Sequence, residues 1–272
     1  LASKAAAQKS GDAGDELHAR DYLVYAYLQR GQDREARKAF QSLPQLQPGD
    51  AAYFAGLFSI ATMPARFAVE RHRWADAAAL TLPPNTFPGG RYAAAESNHV
   101  YARALGLART GDVKGAQTAL QELSALRDTL TREQDKYWPE QVGIQADVVT
   151  AWIALAEGNK DDASRQMRAA ADHEDATDKH AVTPGSIAPA RELLGEMLLE
   201  LKQPVPALEA FETTLRAAPD RLNSLAGAAR AAELAGNREK AKTYYARVVA
   251  NCQTADDDRA EVRDAKVFLA RK

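Results

Sequence analysis

Apolar residues recur at the three- and four-residue spacing of amphipathic helices along nearly the whole chain, in runs separated by short polar punctuation. The runs pair off as 15–30 with 33–43, 50–71 with 74–80, 92–110 with 113–127 and 133–157 with 160–171, and two further pairs fill 187–218 and 221–251. Every pair meets at one signature, a turn residue followed five positions later by alanine: Gly31 and Ala36, His72 and Ala77, Gly111 and Ala116, Gly158 and Ala163, Lys202 and Ala207, Gly236 and Ala241. Seven residues before each turn stands a small or medium side chain (Val24, Ala65, Ala104, Ala151, Gly195, Ala229), and nine after it a large one (Phe40, Leu120, Met167, Phe211, Tyr245), with Thr81 breaking the series. Small against large is how adjacent helices interdigitate. The pattern predicts helical hairpins stacked into a solenoid.

Prolines and glycines punctuate this reading. Pro48 and Pro219 stand where a second helix should end. Pro64 is expected to kink or divide the run 50–71, and Pro139 to interrupt 133–157. The stretch Leu82–Gly90, with three prolines and two glycines, cannot be helical, and Thr183-Pro184-Gly185 signals a turn after the polar stretch 172–185. The first residues read as the tail of a helix. Acidic residues at 256–258 and basic ones at 271–272 suit the two ends of a last helix, which should cap the array.

On these positions the chain resembles the tetratricopeptide repeat family. The likeness is most specific over 187–253, where Gly195, Leu198, Ala207, Phe211 and Pro219 match and the next unit follows 34 residues on, Lys202 to Gly236. The first unit also matches, with Tyr27, Gly31, Ala36, Phe40 and Pro48, whereas the units across 15–185 are otherwise degenerate, with turns 41, 39, 47 and 44 residues apart. The resemblance implies an all-α fold: a right-handed α-solenoid of about six hairpins with a capping helix at 256–272, in one domain over 1–272. It further implies a protein- or peptide-binding scaffold that works through its concave face, without catalysis, cofactor or metal of its own. The segments 17–28, 174–177 and 182–195 are also similar to a group of bacterial repeat proteins, many of them exported, that carry histidine-rich helices upstream. An exported location is slightly favoured on that ground, and the start of the chain is expected to be a cut.

Composition narrows the partners. The 35 basic and 37 acidic residues are mixed throughout and leave a net charge of −2, so no basic stripe offers itself to nucleic acid. The longest uncharged stretch, 51–65, is too short and too polar to span a membrane. A single cysteine, Cys252, excludes an internal disulfide and fits a helix-core position.

Three constellations carry candidate chemistry. Asp172, His173, Glu174, Asp175, Asp178 and His180 form the densest group of metal-ligand side chains, although neighbours on a polar connection seldom converge on one ion. His18, Asp21 and Tyr25 share one face of the first run, an arrangement able to orient an imidazole or simply to make a surface pair. A pocket near His18 or the 172–180 stretch defines the rival reading, an enzyme or metal-handling protein. The third constellation is the inner face of the first helices, which the family likeness places at Asp21, Tyr25, Thr62, Arg66, Tyr101, Trp152, Glu192, Glu196, Ala226 and Arg230. Of these, Asp21, Tyr25, Arg66, Tyr101, Trp152, Glu192, Glu196 and Arg230 are the expected partner-binding residues, since aromatics and arginine anchor interfaces. Tyr25, Tyr101 and Trp152 fit core positions equally well. The lysine–asparagine clamp some family members use for a terminal carboxylate is not reproduced around Asn223 and Arg230.

Overall fold

The structure, a computed structural model, describes residues 1–45, 53–82, 92–178, 183–256 and 259–271. Pro48, the connection 83–91 and His180 lie outside the described residues, as do Asp257 and Asp258. The described residues form α-helices and turns with no strand: α1 (Ala2–Ser10), α2 (Ala13–Gln29), α3 (Asp33–Gln41), α4 (Tyr53–Glu70), α5 (Trp74–Ala78), α6 (Ala93–Thr110), α7 (Val113–Arg132), α8 (Trp138–Ala156), α9 (Lys160–Asp175), α10 (Ala190–Glu200), α11 (Pro204–Ala217), α12 (Leu222–Leu234), α13 (Arg238–Asn251) and α14 (Ala260–Ala270). None of these helices is long and apolar enough to cross a membrane.

The recurring signature has a local cause. All six turn residues are left-handed, with φ of 69° at Gly31, 50° at His72, 86° at Gly111, 87° at Gly158, 59° at Lys202 and 76° at Gly236. A left-handed residue lets its N–H and the next one turn back onto the carbonyls of the finished helix, as Gly111 and Asp112 do onto Ala108 and Leu107. The chain is then aimed into a second helix antiparallel to the first. Each partner alanine lies one turn inside that second helix, and all six are 0 % exposed. A larger side chain there would push the hairpin apart.

Some boundaries differ from the sequence expectation. Pro139 does not interrupt a helix but opens α8, where a missing N–H costs nothing, and Asp135 Oδ1 accepts from the N–H groups of Tyr137 and Trp138 at 2.8 and 2.7 Å. α7 accordingly runs on to Arg132. α4 continues through Pro64. α9 extends to Asp175 instead of stopping at 171, because Arg191 grips both Asp172 and Asp175 on its last turn.

Helices adjacent in sequence pack as pairs, and the first helices also stack on one another, α2 on α4, α4 on α6, α6 on α8, and α10 on α12. Among the described residues, α8 to α10 is the step at which this inner stack is interrupted. The larger apolar core runs from α4 to α14, and a smaller one joins Leu17, Val24 and Leu28 of α2 to Ala36 and Ala39 of α3 and Leu57, Met63 and Phe67 of α4. Between α10, α11 and α12 the plug is Phe211: a Cβ on Gly227 would stand 2.4 Å from its ring, and one on Gly195 2.8 Å.

The array also closes on itself. α12 packs on α2. The N–H of Asp256 donates to the carbonyl of Gly31 at 2.9 Å, the N–H of Arg34 donates to Asp256 Oδ2 at 2.8 Å, and Arg259 Nη1 lies 3.3 Å from Asp33 Oδ1. Gly31 meets the last connection so closely that a Cβ would sit 2.8 Å from that of Ala255.

The packing gives a paired prediction. Gly227→Ala should destabilise by about 1–3 kcal/mol by overpacking against Phe211. Gly143→Ala, inside α8 with nothing within 4 Å of the added methyl, should stabilise by about 0.5–1 kcal/mol. Urea unfolding of the two variants measures both, and equal midpoints would refute the placement of Phe211.

Candidate functional site: the enclosed inner face

The side chains expected to line an open groove converge, but mostly on one another. Asp21 and Arg66 are both fully buried, with Arg66 Nε 3.7 Å from Asp21 Oδ1 and the guanidinium 5.7 Å from the Tyr25 ring centroid. Arg66 Nη1 donates to the carbonyl of Ser186 at 2.9 Å and Nη2 to that of Gly185 at 3.1 Å. The chain's own stretch 183–189 thus lies where an outside segment was expected. Burial pushes the Asp21 carboxyl up, and Arg66 and His18 offset this only in part.

Glu192 is likewise turned inward. Arg221 Nε and Nη2 donate to its two oxygens at 2.9 and 2.6 Å, and the Ser224 hydroxyl donates to it as well. The same Nη2 lies 3.0 Å from Glu70 Oε1, so one guanidinium joins the end of α4 to α10 at the start of α12. Gln29 of α2 donates to Glu70 at 3.1 Å and accepts from the N–H of Leu222 at 2.9 Å. Asn223 donates to the carbonyl of Glu70 at 3.0 Å. Burial would raise both carboxyls, but the bidentate arginine and Ser224 hold Glu192 below its ordinary range. Glu70 stays raised, by burial first and by the Glu192 charge as well, against a single bond to Arg221.

Trp152 leaves the expected set altogether. It is 2 % exposed, with the Arg109 guanidinium 4.2 Å from its ring on one side and Trp74 beyond at 5.1 Å from the same guanidinium. Long amphipathic side chains and aromatics pack equally well in a core, which the spacing alone cannot distinguish from a groove. Glu196 and Arg230 remain accessible and line a recess of about 300 Å³ with His72, Asn223, Glu261 and Asp264, over Phe211 and Tyr245. There His72 Nε2 is 2.9 Å from Glu196 Oε1, and Arg230 pairs with Glu233 at 2.9 Å.

The larger cavity, about 570 Å³, opens beside the interrupted step between α8 and α10. Tyr25, Phe58 and Tyr101 form one part of its wall, Tyr137, Trp138, Gln141 and Gln145 of the α8 start another, Glu174, Asp175 and Asp178 a third. The stretch 183–189, Arg216 and Arg221 complete it. Its size lies in the range of small-ligand and side-chain pockets. The aromatic wall is rigid: Trp138 packs on Phe58 at 5.2 Å between centroids and meets Tyr137 edge-on at 5.0 Å. Gln145 donates to Asn98 Oδ1 at 3.1 Å, and Asn98 in turn to the carbonyl of Ala94 at 3.2 Å. Burial, with Glu174 and Glu196 nearby, lifts the Tyr101 phenol far above its usual range, so it stays protonated.

Glu174 does not lie in the polar connection that the sequence predicts. It stands instead on the last turn of α9, where its carboxylate accepts from the N–H of Ala190 and so ties α9 to the start of α10. Burial pushes its carboxyl up to about 7 even against bonds from Ala190 and Ser186. The rest of the polar cluster is dispersed: Arg191 takes Asp172 and Asp175, and His173 pairs with Glu140 at 3.2 Å. No group of three or more potential metal ligands comes together among the described residues. His18 packs edge-on against Tyr22 at 5.2 Å, while Asp21 lies against Arg66. Sequence reasoning missed Glu70, Gln29 and Arg221. The one signal for them was a charged or polar residue at each helix end that the closure brings together.

No family model and no curated protein matches this chain.

Two consequences can be measured. Replacing Arg221 by leucine leaves Glu70 and Glu192 buried without their cation and should cost about 3–5 kcal/mol in urea unfolding; a loss within experimental error would mean that the closure does not depend on it. The second concerns pH. Glu174, raised from 4.5 to about 7, keeps its proton longer in the native state, so stability should fall as pH rises between those values. Burial would lower the His72 imidazole, but Glu196 raises it from 6.5 to about 9, so its contribution is complete below 6.5 and is lost as pH climbs through about 9. Melting temperature should therefore decline from pH 5 to pH 9.5, with Glu174→Gln flattening the lower half and His72→Asn the upper. Unchanged slopes in both variants would refute the assignment.

Proposed function

We propose that the chain is a binding module, a tetratricopeptide-like right-handed superhelix of about six hairpins capped by α14, that takes a peptide segment of a protein partner in the cavity on its inner face. One observation carries this reading: a 570 Å³ cavity walled by rigid aromatic rings and by amide and carboxyl groups opens on the first helices of successive hairpins. The stretch 183–189 supports it from within. Irregular, bent backbone of the chain itself already rests on this face, with two consecutive carbonyls on Arg66. The members of the expected set that line a recess, Tyr25 and the largely buried Tyr101 at the large cavity and Glu196 and Arg230 at the small one, are the residues a partner would meet. Asp21, Arg66, Trp152 and Glu192 hold the frame behind them.

A second reading, proton-transfer chemistry at the 172–180 stretch, draws on Glu174, whose carboxyl at about 7 is suited to general acid or base work in the cavity that Tyr101 also lines. Its test is turnover of a panel of ester and amide substrates that Glu174→Gln abolishes.

The binding reading is tested by panning a random peptide library against the protein and titrating the enriched peptides by calorimetry. Gln145→Trp, which fills the cavity from a half-buried position on α8, should weaken them by roughly thirtyfold, about 2 kcal/mol. Arg165→Ala, on the exposed side of α9, should leave them unchanged. No enrichment, or peptides indifferent to Gln145→Trp, would sink the proposal.

A further inference from the structure

We propose that the group received by the large cavity is a cation on a flexible stem, the ammonium or guanidinium of a lysine or arginine side chain in a peptide. The inference rests on the binding reading above and adds the chemistry of the ligand.

Charge on the walls comes first. Glu174, Asp175 and Asp178 share the cavity lining with Arg216 and Arg221. Arg221 is committed to Glu70 and Glu192, and Asp175 to Arg191. Among the described residues, what remains toward the cavity is Glu174 and Asp178 against Arg216, a surplus of negative charge. Glu174 stands deepest of these carboxyls, bonded to backbone at the α9–α10 junction, where an ion meets little water. A positive partner would favour its ionised form.

Hydrogen-bonding capacity points the same way. Tyr101 is 3 % exposed and lines the cavity, yet its hydroxyl has no hydrogen-bond partner among the described residues. The buried Oε1 of Gln145, in the lining of the same cavity, accepts from none of them either. Together with the carboxylates these are acceptors awaiting donors, and an ammonium brings three donors and a guanidinium five, with no acceptor. The same cavity is lined by the rings of Tyr137, Trp138 and Phe58, whose π faces attract cations and pack on an aliphatic stem. An acidic group would meet Glu174 and Asp178 with like charge, and a purely apolar one would leave Tyr101 and Gln145 without partners.

The probes are four N-acetylated tetrapeptide amides, of lysine, arginine, Nε-acetyl-lysine and glutamate, titrated into the full chain by calorimetry at pH 8, with tryptophan emission as a second readout. The lysine and arginine peptides should bind, the acetyl-lysine peptide roughly tenfold or more weakly, and the glutamate peptide not at all. Glu174→Gln combined with Asp178→Asn should cost the lysine peptide at least as much, whereas Asp161→Asn, an exposed carboxylate in the first turn of α9, should cost nothing. Equal affinity for lysine and acetyl-lysine peptides overturns the cationic ligand while leaving peptide binding standing. Lysine binding that the double variant does not weaken overturns the site. If none of the four binds, the inference falls, and the library selection alone then decides the binding reading.

Discussion

The guanidinium of Arg221, held between Glu70 and Glu192, is the contact on which the shape of the molecule depends. A stack of hairpins linked only to neighbours has no intrinsic limit to its curvature or length, because every interface is local. Here α12 returns to the ends of α2 and α4, and the residues that meet are charged or polar: Arg221, Glu70, Glu192, Gln29 and Asn223. Burying such a set gains little net stability over an apolar contact of the same volume, since desolvation offsets most of the Coulomb attraction. What the set does supply is a unique register. Two bidentate bonds to Glu192 and one to Glu70 can be made at one position of α12 against α4 and α10, whereas apolar surfaces would tolerate a slide.

Closure changes what the inner face can do. In an open superhelix the first helices present their side chains to solvent, and charged residues there would recruit a partner. With the ends joined, the same residues satisfy each other, Asp21 with Arg66 and Glu192 with Arg221, and the large cavity and the small recess lie close to that junction. The backbone of 183–189 occupies part of what is left. The large cavity survives because α8 and α10 do not stack as the other first helices do, and the gap is bridged by polar links, Glu174 to Ala190 and Arg191 to the end of α9.

The local half of this architecture was legible in the sequence and the non-local half was not. Six turns could be placed because a left-handed residue and an alanine five positions on are demands of the hairpin itself, and even His72 and Lys202, which carry a strain glycine would avoid, obey them. The Phe211 plug against Gly195 is of the same kind. The burial of Asp21, Arg66 and Glu192 is different: each reads as a surface charge until a partner more than twenty residues away in sequence is known, and the partner of Glu192 was not among the residues the periodicity marks. Trp152 was misplaced for a related reason, since its ring is covered by Arg109 of a neighbouring hairpin. The polar stretch from Asp172 looked like connection because its charges could not be seen to meet Arg191, which lengthens α9 and brings Glu174 to the cavity.

The position of the large cavity ties occupancy to the shape of the whole array. Its walls belong to α2, α4, α6 and α8 on one side of the interrupted step and to the 183–189 stretch and the α11–α12 junction on the other. A group bound there touches both halves, so its binding energy acts on the spacing between α8 and α10 as well as on its own contacts. Any difference in affinity between a tighter and a looser spacing shifts the population of the two by the same factor. The shift reaches the closure directly, because Arg221 lines the cavity with one edge and holds Glu70 and Glu192 with the other. In a molecule whose ends are joined, a change at the interrupted step between α8 and α10 cannot be absorbed by splaying the termini. It must be met either at that joint or not at all.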